Sequence, residues 1–238
     1  RFLAISAAAA GLSLAPTALA QAAAGPALQR WRGAALGAQA SIMLHHPDGK
    51  AARALIAACV AEIRRLEKSF SLFREDSAIS RLNREGVLDA PPLELVRLLS
   101  DCRRFSRLTD GAFDVTVQPL WHLYAEHYSR PEADPSGPSP AALSHARGLV
   151  GYGAVDSDPA RIAFARPGMA ITLNGIAQGY ITDRVAAVLR AGGIESVLLD
   201  LGEVRGFGTH PSGRPWLVGL RDASTPDLIA DAVELSDQ

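Results

Sequence analysis

Segments with helical spacing and segments with strand character follow one another in this chain without the strict strand–helix alternation of a parallel sheet. Ala51–Ser69 carries Ile56, Cys59, Val60, Ile63 and Leu66 at helical spacing, with Arg64, Arg65 and Lys68 on the other side. Pro91–Leu108 opens on proline and repeats Leu95, Leu98, Leu99, Cys102 and Phe105. Asn174–Ala191 is a third helix, closed by Gly192-Gly193, which suit a left-handed cap. Among these lie strand-like stretches. Ala38–His45 reads as a first strand, ended by the turn Pro47-Asp48-Gly49. Arg161–Ala165 and Met169–Leu173 read as a hairpin around Arg166-Pro167-Gly168, and Ser196–Leu201 and Trp216–Leu220 as further strands. Ala112–Tyr124 reads as extended and then helical, and Pro131–Pro140 as a surface loop or subdomain junction. The order specifies an α+β fold of mainly antiparallel sheets packed with helices. A chain of 238 residues that is 48% hydrophobic has the apolar material for one large domain or two small ones.

The N-terminal residues are a different material. Arg1-Phe2-Leu3-Ala4 leads into the apolar, Ala-rich run Ile5–Ala15, and Ala18-Leu19-Ala20 has the small-x-small pattern of a signal-peptidase site. Residues 1–20 therefore read as a signal peptide, and Arg1-Phe2-Leu3 as the tail of a twin-arginine signal cut short at its start. A periplasmic mature protein is expected, with residues 21–36 as a flexible, Ala/Gly/Pro-rich lead-in and residues 37–238 as the folded domain. No Cys follows Ala20, which speaks against a lipid anchor, and no mature segment is apolar enough to span a bilayer. Lys and Arg number 24 against 25 Asp and Glu, without a basic block, so neither nucleic acid nor an anionic membrane is indicated as a partner. Cys59 and Cys102 sit on apolar helix faces without a CxxC partner and read as buried thiols.

Three stretches can carry chemistry. In Thr172–Asp183 a strand runs through Asn174-Gly175 straight into a helix. Asn174 suits an N-cap, Gly175 permits close approach to the backbone, and the helix N-terminus attracts a phosphate. Gly175 and Gly179 leave one face nearly bare, which serves tight packing on a sheet equally well. In Asp110–Leu120, Asp114 among β-forming residues is either a hydrogen-bonded structural group or a ligand contact. In Phe70–Asn83, Phe70 and Phe73 suit the core or a planar ring, with Ser77, Ser80 and Asn83 as possible donors. A Walker loop, a GxGxxG opening a helix and a GxSxG elbow are all missing, and the six His show no metal-ligand spacing.

Taken in order, these stretches resemble the ApbE family of FAD:protein FMN transferases over roughly Gly37 to Asp222. The markers are Phe70-Ser71-x-Phe73, Ser77-x-Ile79-Ser80-x-x-Asn83, Asp110-Gly111-Ala112-Phe113-Asp114-Val115-Thr116-Val117 and Gly175-Ile176-Ala177-x-Gly179-Tyr180-x-x-Asp183. Leu201-Gly202 and Arg214-Pro215-Trp216-x-Val218-Gly219-x-Arg221-Asp222 follow. The variant Leu173–Tyr180 looks most like the NosX branch, associated with nitrous oxide reductase maturation. The resemblance implies cleavage of FAD with Mg2+ and covalent transfer of FMN to a Thr or Ser of a NosR-like flavoprotein, releasing AMP; an FAD carrier without transferase activity is the alternative. It places Leu36 beside the flavin, Phe73 where a Tyr commonly contacts FAD, and Ala112, Phe113 and Asp114 along the FAD. Thr172 stands where an Asp is usual and Gln178 where a Lys or Glu is usual, both at FAD contacts. Gly175 matches the position whose backbone carbonyl ligates Mg2+. Family members continue with a His and an Asp…Thr pair that complete the metal site. The catalytic His is accordingly expected beyond residue 238, and the chain is expected to be an incomplete, inactive piece of the enzyme.

Overall fold

Leu36 and Gly37 are both left-handed, with φ of 49° and 81°. Two such residues match the twist of the flanking strands, so they close a two-residue hairpin between β1 (Ala27–Ala35) and β2 (Ala38–His46). The computed structural model describes residues 27–210, 212–222, 224–225 and 228–235; the expected signal peptide lies outside these residues. Strand β1 corrects the expectation of a flexible lead-in over residues 21–36, at least from Ala27 onward.

The chain divides into two compact units. Residues 65–177 form one; the described residues up to Arg64 and from Gln178 onward form the other. The latter unit holds a four-stranded antiparallel sheet in the order β1-β2-β6-β7, with β6 at Val197–Asp200 and β7 at Val204–Phe207. A separate antiparallel pair joins β8 (Trp216–Arg221) to β9 (Ile229–Leu235). Met43 of β2, Leu198 of β6 and Trp216 and Val218 of β8 pack together.

The unit of residues 65–177 holds a three-stranded antiparallel sheet in the order β3-β5-β4, from Val87–Asp89, Arg161–Phe164 and Val155–Ser157 respectively. Helices α2 (Ala78–Glu85), α3 (Leu93–Leu108), α4 (Gln118–Tyr128) and α5 (Pro140–Gly148) belong to it. Helix α1 (Gly49–Phe70) gives Ala52, Ile56, Cys59 and Ile63 to the buried residues of the first unit, and Leu66 and Phe70 to those of the second. Phe70 is thus a core residue. Helix α6 (Ala177–Ala191) buries Ile181, Val185, Ala186 and Leu189. It ends as its two glycines indicate: Ile194 N donates to Leu189 O, Gly193 N to Arg190 O, and Gly193 has φ 80°.

Three further expectations are corrected. Met169–Leu173 forms no hairpin with Arg161–Ala165; β5 is flanked by β3 and β4 instead. The third helix starts at Ala177 rather than Asn174, and no strand precedes it. Ala112–Tyr124 becomes a short 3-10 turn at Val115–Val117 followed by α4, with little extended chain before it. Helix α5, which sequence reading did not name, begins at the last residue of the polar stretch: Ser139 Oγ accepts from Ala142 N and Pro140 takes the first helical position.

Candidate functional site

Within residues 65–177 two predicted stretches meet. Helix α3 ends in a left-handed pair, Asp110 and Gly111, with Gly111 N donating to Ser106 O at 2.8 Å. An aspartate tolerates that conformation better than most side chains do. The pair delivers Ala112 exposed and Phe113 half-buried, its ring edge-on to Phe105 at 6.2 Å between centroids. The following turn is tied by Asp114. Its Oδ1 accepts from Thr116 N at 2.8 Å and from Thr116 Oγ1 at 2.6 Å, and its Oδ2 accepts from Tyr152 N at 2.9 Å. Thr116 Oγ1 in turn accepts from Gly151 N at 2.6 Å. Of the two readings of Asp114, the structural one describes its carboxylate: both oxygens serve internal donors.

The segment Met169–Leu173 reaches this turn through one backbone bond, Thr172 N to Val115 O at 2.8 Å. Its other anchor is a side chain. Asn83 Nδ2 donates to Ile171 O at 2.8 Å while Ile171 N donates to Asn83 Oδ1 at 2.8 Å. Asn83 therefore holds the chain rather than offering its amide to a ligand. Ser77 is likewise committed: it caps α2 through Ser80 N, and its hydroxyl donates to Ser71 O at 2.7 Å. The Ser80 hydroxyl also points to Ser71 O, at 3.4 Å.

Beyond Leu173 the chain makes an exposed turn. Asn174 N donates to Thr172 Oγ1 at 3.2 Å, so the threonine hydroxyl shapes the turn locally. Ile176 N and Ala177 N both donate to Leu173 O, and α6 begins. Gly175 is exposed between them and its amide has no partner among the described residues. Its backbone is not left-handed, so the turn itself does not demand glycine. A Cβ there would meet Phe113 Cε2 at an ordinary 3.5 Å, so packing does not demand it either. At Gly179 nothing described lies within 4 Å of a Cβ. Among the described residues, then, close packing demands neither glycine. A glycine inside a helix costs about 1 kcal/mol against alanine, which makes the open space at Gly179 informative.

The remaining predicted residues are placed as follows. Phe73 is 75% exposed, and its amide donates to Ser71 Oγ at 3.2 Å. Leu36 and Gln178 belong to the other unit. Leu36 is the first residue of the β1–β2 turn, and the Gln178 side-chain amide lies against the bare α-carbon of Gly202, whose φ is 92°. Sequence reasoning missed the pairing of His45 with His210, 5.6 Å apart edge-to-face and both beside Trp216. They line a cavity of about 330 Å³ with Leu28, Met43 and Ile229. Burial, then the neighbouring His45 and Arg214, hold His210 below the usual imidazole range. Residues so distant in sequence, on β2 and before β8, carry no local signal of their meeting.

The residues present fit the parts of a dinucleotide unequally. An unpaired amide on an exposed turn, with an aromatic ring beside an open α-carbon, suits a phosphate and an apolar ring system. For Mg2+ the turn offers the Gly175 carbonyl, but among the described residues no three His, Cys, Asp or Glu side chains group as a metal site. A divalent cation of that kind binds through carboxylates and phosphates in near-octahedral geometry, and one carbonyl does not supply it.

These features define an antiparallel α+β protein with a ligand-accessible glycine turn opening a helix. The sequence model of the ApbE family matches residues 36–238, and the chain belongs to that family. It is 28% identical over 176 residues to the FAD:protein FMN transferase of Haemophilus influenzae, covering 69% of this chain and 49% of that protein. It is 30% identical over 158 residues to the FAD:protein FMN transferase of Vibrio cholerae, covering 65% and 46%. The crystal structure of the flavinyl transferase ApbE of Pseudomonas stutzeri, in apo form, superimposes with a TM-score of 0.74 at 27% identity, over 89% of this chain and 67% of that one. The flavin transferase ApbE of Vibrio cholerae gives 0.74 at 25% identity, over 89% and 70%. The chain spans about half the length of the curated relatives it matches.

Proposed function

We propose that the protein of which this chain is part is an FAD:protein FMN transferase. In that reaction an acceptor Thr or Ser hydroxyl oxygen bonds to the phosphorus of the FMN half of FAD. The bond to the AMP phosphate breaks, AMP leaves, and the hydroxyl proton passes to a base. The observation that carries the reading is the Gly175 turn: an exposed, unpaired amide and an open α-carbon beside Phe113. Oriented main-chain donors hold phosphates in line without reorganisation, which is where phosphoryl transfer gains most. Gly175 and Thr172 are assigned to the phosphate side, and Ala112 and Phe113 to the flanking wall. Asp114 contributes by shaping that wall. Leu36, Phe73 and Gln178 are assigned to flavin or adenosine contacts on the family resemblance, as is the requirement for Mg2+.

The finer reading is a NosX-like transferase, exported to the periplasm, that flavinylates a NosR-like acceptor during maturation of the nitrous oxide reduction system. It rests on the variant Leu173–Tyr180 and on the leader-like residues 1–20. The test is to incubate the full-length protein with FAD, Mg2+ and the acceptor and to read the acceptor by intact mass. A gain equal to FMN, with AMP released, is expected. Retained FAD with no gain on any Thr- or Ser-bearing acceptor overturns the transferase and leaves a flavin carrier.

A further inference from the structure

Helix α2 is short, yet it is capped at both ends and pinned by its buried face. Ser77 caps its first turn, and Gly86, at φ 74°, closes its last through a bond to Leu82 O. Ile79 and Leu82 are fully buried. It is therefore a stiff base from which Asn83 projects. What Asn83 holds is not part of any sheet. Met169, Ile171 and Leu173 alternate inward like residues of a strand and are at most 2% exposed, but among the described residues no strand pairs with them. The carboxamide substitutes for the missing neighbour, with one donor and one acceptor facing one carbonyl and one amide at 2.8 Å each. Directly after Ile171, the Thr172 hydroxyl and the Leu173 carbonyl form the turn that exposes Gly175.

We propose that Asn83 is a positioning residue of the FAD site: it sets where the Gly175 amide stands by locking the backbone of Ile171. This rests on the transferase reading only in naming FAD as the ligand. The asparagine carboxamide offers the donor and the acceptor that the two backbone groups need. Aspartate keeps the acceptor, but turns a second oxygen toward the Ile171 carbonyl. Alanine leaves both groups without a partner. The lock acts on the last anchored residue but one before the turn, so its loss leaves Gly175 positioned only through Thr172 and the buried Leu173. The Thr172–Val115 bond is the remaining backbone tie.

The test uses the full-length protein with Asn83→Ala and Asn83→Asp, read by flavin fluorescence titration and by hydrogen exchange. Both variants are expected to bind FAD at least about tenfold more weakly at pH 7.5, the order of effect of one well-made pair of hydrogen bonds. Exchange is expected to rise at residues 171–176 while α3 stays protected, which separates local release from general loss of fold. Lowering the pH restores a donor to Asn83→Asp, because a protonated carboxyl reproduces the carboxamide pattern. Its affinity relative to the natural protein at the same pH is then expected to recover, and that of Asn83→Ala is not. Natural-protein affinity in both variants, with unchanged exchange at 171–176, overturns the positioning role. A natural protein that binds no FAD overturns the transferase reading instead, and the exchange arm still decides whether Asn83 locks the turn.

Discussion

At the scale of single residues, the chain distinguishes glycines that shape backbone from glycines that clear space. Gly193 and Gly202 are left-handed, at φ 80° and 92°, and the second also has the Gln178 amide against it. Gly175 has neither constraint, and that contrast makes it informative. Gly175→Val places a branched side chain beside Phe113 at van der Waals range, so the fold and its Tm change little. The same side chain covers the amide. Losing a hydrogen bond to a charged group costs about 1.5–3 kcal/mol, roughly ten- to a hundredfold in Kd, and calorimetric titration with FAD is expected to show it. Undiminished binding removes Gly175 from the site. Asp114 illustrates the limit of sequence here. Its residue type and neighbours left two roles open, and the arrival of Tyr152 N at its Oδ2, from more than thirty positions away, decides for the structural one.

At the scale of elements, the long helices and the strands β2, β6 and β8 were legible because their periodicity repeats over enough residues to outweigh local noise. The failures have specific causes. Met169–Leu173 has a strand's alternation but takes its hydrogen bonds from Asn83 and Val115, and no pattern within the segment reveals that its partner is a side chain. β1 was obscured by its alanines and glycine, residues that β-propensity disfavours, and by a Leu-Gly turn where Asn-Gly is the usual signal. The α5 start did carry a signal, Ser139-Pro140, a cap followed by proline at the first helical position. The hairpin turn yields a prediction. Leu36 at φ 49° is strained, since a left-handed conformation costs most side chains about 1–2 kcal/mol. Leu36→Asn, which tolerates that region and matches the favoured turn, is expected to raise the urea midpoint by the equivalent of about 1 kcal/mol. A lower midpoint would show that the leucine side chain contributes more by contact than its backbone loses.

At the scale of the whole molecule, the family was legible before the fold was, because ordered motifs survive where individual elements are misread. Residues 36–238 match the family model although strand β1, the Met169–Leu173 hairpin, the α6 start and the Ala112–Tyr124 segment all needed correction. The two units each contain one buried thiol, Cys59 in the first and Cys102 in the second. Burial pushes both up to about 12. A folded-state pKa above the unfolded one means that each thiol favours the native state fully below about pH 8.5, the ordinary thiol value, and ceases to do so as pH climbs toward 12. Stability is therefore expected to fall across that alkaline window. Native protein at pH 8 is expected to resist a thiol reagent and to become labelled at each cysteine as its own unit opens in urea. Rapid labelling of either residue without denaturant contradicts its burial.

The exposed Asn174-Gly175 pair has a chemical fate as well as a geometric one. Among the described residues neither the Gly175 nitrogen nor the Asn174 carboxamide has a hydrogen-bond partner, and no Cβ at residue 175 hinders attack of that nitrogen on the carboxamide carbon. Ring closure expels ammonia, and water reopens the imide to aspartate or isoaspartate. Under the proposed function, ageing at this turn puts a fixed negative charge beside the Gly175 amide, where it repels an approaching phosphate.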